Sequence, residues 1–283
     1  MLAARVKPPR SHPASVHQRA RRDERVQSAH GSFRHGPAPR PVKPPLRIQT
    51  TTLWQYPSQH YGHETQGDAR FLGATPSWVI WNLVQRYTRP GDLVVDPFCG
   101  SGTTLDVAHD TGRTARGFDL APCRADIEPA DARRLPLADG EADLLFLDPP
   151  YGDHVHYSEH RDCIGKLSAY DPAYFRAMDR VLRESARVLR PGGALGLYVC
   201  DYFENKRGFA PVGLGLLTSL AGYLEIVDVV AVVRHNKSLS KGNFHKAAEE
   251  GNFFLRGFNY LFIARRPGDD DTPGRSRYRR ASP

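Results

Sequence analysis

Leu93-Val94-Val95-Asp96-Pro97-Phe98-Cys99-Gly100-Ser101-Gly102-Thr103-Thr104 is the stretch that decides how this 283-residue chain folds. An apolar triplet runs into an acid, a glycine-rich turn follows, and a helical pattern continues to about His109. A short buried strand, a tight loop and a helix are therefore expected. Glycines let a ligand approach the backbone closely, and the start of the helix offers unpaired N–H groups. No Lys follows the second glycine, and Leu105 stands where GxGxxG requires glycine. Neither phosphate-binding fingerprint applies. Taken alone, the GxG also reads as an ordinary strand-to-helix turn.

The alternation continues on both sides. Upstream, Thr75-Pro76 reads as an N-cap and first helical residue, with Val79, Ile80, Leu83, Val84 and Tyr87 at helical spacing behind it. Downstream, a strand is expected over Ala115–Phe118, a weaker one over 126–132, and a strong one over Asp143–Leu147. A helix is expected over 173–190, a strand over Ala194–Val199 and a helix over about 209–224. Strands Ile226–Val233 and Phe253–Ala264 follow, joined by a loop over 235–252. Strands alternating with helices predict a mostly parallel sheet covered on both faces, and the last two strands predict an antiparallel edge hairpin. The fold class is α/β and Rossmann-like.

In such sheets ligands bind beyond the C-terminal strand ends. Asp119, at the end of the second expected strand, suits ribose hydroxyls, and Asp131 suits an adenine amino group. Asp148-Pro149-Pro150-Tyr151 closes the strongest strand. Two prolines stiffen the backbone and remove its N–H donors. What remains on display is a carboxylate, the Pro149 carbonyl and an aromatic ring. Two acceptors and a stacking face suit a planar base that bears an amine.

Over about residues 50–264 the chain resembles the S-adenosylmethionine-dependent amino-methyltransferases of DNA, the N6-adenine/N4-cytosine family. Asp96–Thr103 is similar to the family's cofactor loop and Asp148–Tyr151 to its catalytic motif. The order, with the Thr75-Pro76 closing segment first, resembles the gamma arrangement. The resemblance implies a class I methyltransferase with a seven-stranded sheet and S-adenosylmethionine as cofactor. Thr75, Asp96, Pro97, Phe98, Cys99, Gly100, Ser101, Gly102 and Thr103 would hold the methionine end. Asp119 would hold the ribose and Asp131 the adenine. Asp148, Pro149, Pro150 and Tyr151 would form the catalytic wall, receiving a base flipped out of duplex DNA. Adenine N6 is favoured over cytosine N4 because the cytosine enzymes more often carry Ser in place of the Asp. An RNA guanine-N2 methyltransferase, whose pattern Asp148–Gly152 also matches, stays open, as does a methyltransferase-like protein that only binds nucleic acid.

No large target-recognition domain is evident, so substrate contacts are expected from segments 50–70, 152–172 and 235–252. Their candidates include His154, His156 and Tyr157, then Arg234, Asn236, Lys237, Lys241 and Lys246. The formal net charge of +8 is unevenly spread: residues 1–47 carry +9 and 265–283 carry +3, leaving −4 for 48–264. Eight of the 23 prolines fall within 1–47. Disordered tails over 1–47 and 265–283 are expected around a methyltransferase domain at 48–264. No apolar run approaches a membrane span. Four scattered cysteines without CxxC spacing argue against structural zinc and for a reducing compartment. No metal is expected from the histidine spacing. A cytoplasmic, nucleoid-associated protein of a bacterium or archaeon, in a restriction-modification setting, is the corresponding expectation.

Overall fold

The structure, a computed structural model, describes residues 45–268 except 69, 71–73, 154–156 and 236. Its elements are β1 (Leu53–Trp54), α1 (Ser77–Tyr87), β2 (Leu93–Asp96), α2 (Thr103–Asp110), β3 (Thr114–Asp119) and β4 (Ile127–Pro129). β5 (Ala142–Leu147), α3 (Pro172–Val188), β6 (Leu189–Val199), β7 (Tyr202–Glu204), β8 (Gly208–Ala210) and α4 (Val212–Ala221) follow. The chain then forms β9 (Glu225–Val233), α5 (Lys237–Ser240), α6 (Gly242–Glu250) and β10 (Phe258–Arg265). Among the described residues, no helix is long and apolar enough to cross a membrane.

Among the described residues, eight strands form one sheet in the order β1-β9-β10-β6-β5-β2-β3-β4. β10 runs antiparallel to both of its neighbours, and the other pairs are parallel. The apolar run of β5 explains its central place. Leu144 and Phe146 pack towards α1 and α2, whereas Leu145 and Leu147 pack towards α3 and α4. A strand buried on both faces needs this continuous apolar run, because its side chains alternate between the two faces. α3 is built just as locally. Asp171 caps it by accepting the Ala173 N–H at 2.7 Å, Pro172 opens it, and Tyr174, Met178, Val181 and Leu182 form its buried stripe.

The Rossmann-like α/β architecture is the one expected, with local differences. The sheet has eight strands rather than seven, because Leu53 and Trp54 pair in parallel with Ala231 and Val232. The β9–β10 hairpin is consequently not the outer edge. The expected helix over 209–224 is shorter, because Gly208–Ala210 pairs with Tyr202–Glu204. β6 starts at Leu189 rather than at the expected Ala194, and its register with β5 shifts between Ala142 and Leu144, so Pro191-Gly192-Gly193 is absorbed within the strand as an irregularity. The expected strand from Phe253 begins only at Phe258, and Phe253 instead stacks on Phe203 with ring centroids 5.0 Å apart. Much of the expected loop at 235–252 is helical, as α5 and α6. Of the weak strand over 126–132, only Ile127–Pro129 pairs with β3. The tails expected at 1–47 and 265–283 lie mostly outside the described residues.

Candidate active site

Asp96 ends β2, Asp119 ends β3, and Asp148 directly follows β5, so three carboxylates stand along the C-terminal edge of neighbouring parallel strands. β9 runs in the same sense as β5, which brings Arg234 to that edge as well. The sheet thereby gathers residues more than a hundred positions apart.

The glycine loop is held from within. Asp96 is buried, and its two oxygens accept the Phe98 N–H at 2.9 Å and the Thr104 hydroxyl at 2.5 Å. Burial pushes its pKa up to about 7 against those two hydrogen bonds. Asp119 accepts the Gly100 N–H at 3.1 Å and the Ala121 N–H at 2.9 Å, tying the loop to the next strand. Gly102 caps α2 in the left-handed conformation at φ 79°. The positive φ requires glycine there, and a Cβ would also push against the Arg124 guanidinium. Arg124 donates to the carbonyls of Ser101 and Gly102 and to Asp106. A second strap crosses the loop from outside: the Gly67 N–H reaches Asp106 at 2.6 Å and the Asp68 N–H reaches the Ser101 carbonyl at 2.8 Å.

Asp148 sits between two hydroxyl donors. Thr75 donates to one oxygen, and Tyr151 donates to the other at 2.7 Å. Burial raises the Asp148 pKa to about 6, opposed by these hydroxyls and by the charge of Arg234. Thr75 was expected to cap α1. Its hydroxyl goes to Asp148 instead, and Pro76 occupies the cap position without a side-chain bond. A buried carboxylate is a stronger acceptor partner than a backbone N–H is a donor partner, which accounts for the exchange. The prolines are fixed from behind, where the Tyr174 hydroxyl donates to the Pro150 carbonyl at 2.8 Å.

These groups share one cavity of about 430 Å³. Thr75, Asp96, Pro97, Phe98, Cys99, Gly100, Ser101 and Thr103 line it, with Asp119, Asp131 and the whole of Asp148–Tyr151. Asp131 is also held by Arg133 at 2.5 Å. Gly102 does not line the cavity. Tyr157 and Arg234, both expected among the nucleic-acid contacts, line the cavity too. Lys241 precedes α6, and Lys246 pairs with Glu250 at 3.6 Å; neither lines the cavity. His154, His156 and Asn236 lie outside the described residues, as does the side chain of Lys237. Sequence reasoning missed Arg124, Tyr174 and the strap at Gly67-Asp68. Only the Arg124 charge seven residues before Asp131 gave any hint, because a tyrosine within a helical stripe, such as Tyr174, signals no more than a core position.

The chemistry of the wall tests the implied cofactor. The described lining carries four carboxylates, Asp96, Asp119, Asp131 and Asp148, against one guanidinium. A phosphate-bearing dinucleotide would be repelled. A ligand with ribose hydroxyls, an adenine amine, an ammonium and a sulfonium finds acceptors and negative charge, so S-adenosylmethionine fits.

A strand–glycine loop–helix unit, acids at successive strand ends and an acidic cavity thus meet on one Rossmann-like sheet. Residues 11–127 match the model of the family described as DNA methylase. The match stops short of Asp148–Tyr151. Among characterised relatives, the type II methyltransferase M1.MboII of Moraxella bovis is 32% identical over 71 residues, 24% of this chain and 27% of that protein. The type II methyltransferase M.BamHI of Bacillus amyloliquefaciens is 31% identical over 81 residues, 28% of this chain and 18% of that protein. The aligned chain thus spans about a quarter or less of the length of these relatives. Among solved structures, an S-adenosylmethionine-dependent methyltransferase of Methanosarcina mazei superposes with a TM-score of 0.43 at 15% identity. That superposition covers 66% of this chain and 98% of the other.

Proposed function

We propose that this protein methylates the exocyclic amino group of a DNA base, adenine N6 first and cytosine N4 next, taken from a base flipped out of the duplex. The observation that carries this reading is the Asp148 carboxylate, oriented by the Thr75 and Tyr151 hydroxyls and beside the Pro149 carbonyl in one cavity with the glycine loop.

S-adenosylmethionine, bound against the glycine loop, supplies an electrophilic methyl group. Everything else falls to the protein. An amine conjugated to its ring is a poor nucleophile, because its lone pair is shared with the ring. A carboxylate has about four lone-pair sites, so Asp148 can accept from both hydroxyls and still accept from an amine. Together with the Pro149 carbonyl, it draws the amine hydrogens out of the ring plane and frees the lone pair. With its pKa near 6, Asp148 Oδ can take the proton released as the amine is alkylated and lose it to water at neutral pH. Tyr151 keeps the carboxylate in place and offers its ring to the base. Catalysis then rests on positioning and electrostatics. The amine cannot reach this cavity from inside a duplex, so the base must leave the stack.

The test is a nucleoside digest. The protein is incubated with tritiated S-adenosylmethionine and duplex DNA, total RNA or no nucleic acid, and the labelled nucleoside is identified. N6-methyladenine from DNA is expected, and an Asp148→Ala variant should bind cofactor but transfer nothing. Label in N2-methylguanine from RNA alone would overturn the proposal.

A further inference from the structure

Arg234 is the one cation in a cavity lined by four carboxylates among the described residues. It directly follows β9, and its N–H donates to the Gly257 carbonyl at 2.9 Å, so its backbone is fixed. Its side chain reaches across the edge of β10 to the end of β6, where Nη1 lies 3.0 Å from the Cys200 sulfur. A thiol is a weak acceptor, whereas a guanidinium carries five N–H donors. Arg124, Arg133, Arg187 and Arg190 each hold a carboxylate; among the described residues Arg234 has none within ion-pair distance. Its charge is nevertheless felt by Asp148 and by Tyr198 of β6. The guanidinium therefore stands near the catalytic wall, half-buried, oriented by a neutral sulfur, with most of its donors unspent.

We propose that Arg234 is a specificity-determining residue that donates a hydrogen bond to the ring nitrogen beside the target amine, N1 of adenine or N3 of cytosine. This deepens the function proposed above and rests on it. An amine next to a bare ring nitrogen presents donors and an acceptor side by side. Asp148 and the Pro149 carbonyl complement the first, and Arg234 complements the second. Guanine carries a hydrogen on N1, the ring nitrogen on one side of its amine, and would meet a donor there. The competing assignment, a contact from Arg234 to a backbone phosphate, is disfavoured by the four acids that share the wall.

The experiment is a cycle between protein and substrate. Duplexes carry either the natural target base or its deaza analogue, 1-deazaadenine or 3-deazacytosine, and kcat/KM is measured for the wild type and Arg234→Met. The wild type should lose about ten- to a hundredfold on the analogue. Arg234→Met should lose about as much on the natural base and nothing further on the analogue. Equal analogue penalties in the two proteins would overturn the assignment. So would an unchanged kcat/KM of Arg234→Met on the natural base, or a loss rescued fully by Arg234→Lys with a changed salt slope, which is the signature of a phosphate contact. If Arg234→Met does not fold, as judged by calorimetric cofactor binding, the cycle is run with Arg234→Lys, whose single ammonium should blunt the analogue penalty. A wild type that labels no natural duplex would instead refute the proposed function itself.

Discussion

Thr75→Val removes one of the two hydroxyls on Asp148 and leaves the other, and its effect can be worked out in advance. Burial lifts the Asp148 pKa from 3.8 to about 6, and it would lie higher without the hydrogen bonds from Thr75 and Tyr151. A hydrogen bond to a charged group contributes about 1.5–3 kcal/mol, and one pKa unit corresponds to about 1.4 kcal/mol. Losing the Thr75 hydroxyl should therefore raise the pKa by about one to two units, to about 7–8. The working form is the carboxylate. At pH 7 a pKa near 6 leaves about nine-tenths of the wild type ionised, whereas the variant falls to between about half and a tenth. Transfer at pH 7 should drop about two- to tenfold and recover nearly fully by pH 9.

The assay is the pH profile of kcat/KM for methyl transfer to duplex DNA at constant ionic strength, from pH 5.5 to pH 9. The acid limb of Thr75→Val should lie about one to two units above that of the wild type, with the same plateau. A loss that is uniform in pH would refute the reasoning, since it would mean that Thr75 shapes the cavity rather than holds the carboxylate. An unmoved limb would mean that Asp148 is not the group whose ionisation limits the rate.

Two further variants probe the same wall and its strap. Asp148 binds its proton more tightly folded than unfolded, so it lowers stability as the pH rises from about 4 to above 6; Asp148→Asn, which cannot ionise, should be more stable at pH 8 by up to about 3 kcal/mol, equal near pH 3.5 and inactive, and an equal gap in Tm at both pH values would contradict this. Gly67→Ala places a Cβ 2.4 Å from the Thr103 hydroxyl oxygen at φ 82°, so it should free the strap from the glycine loop; calorimetry should find cofactor affinity weakened by about tenfold or more, and unchanged affinity would show that the strap does not support the loop.

What the sequence made legible were features written in neighbouring residues. β2 and β5 are continuous apolar runs, the stripe of α3 has helical period, and the loop and motif at 96–103 and 148–151 are contiguous. β1 and the β7–β8 hairpin were illegible, because two or three residues carry no period and their pairing is set by distant strands. α6 escaped for a different reason: none of its residues is buried, so it has no apolar stripe by which a helix announces itself. Thr75 shows the same limit within the site. Its neighbours suggested a cap, and only the fold reveals an acceptor 73 residues away. Arg234 likewise read as a loop cation, because nothing local says that β9 delivers the residue that follows it to the edge that carries Asp148.

That placement also changes what the charge of the chain implies. The net +8 points to nucleic acid, yet the excess lies in the terminal segments, and the described lining of the cavity carries four carboxylates and one guanidinium. A wall of that sign admits a cationic cofactor and a neutral heterocycle but repels phosphate. For the proposed DNA substrate, the backbone is expected to run outside the rim while a single base crosses it, which gives the proposed extrusion an electrostatic reason as well as one of reach. Arg234 then stands where the repulsive field gives way to a donor, deep enough to meet a ring nitrogen and too close to the acids to hold a phosphate.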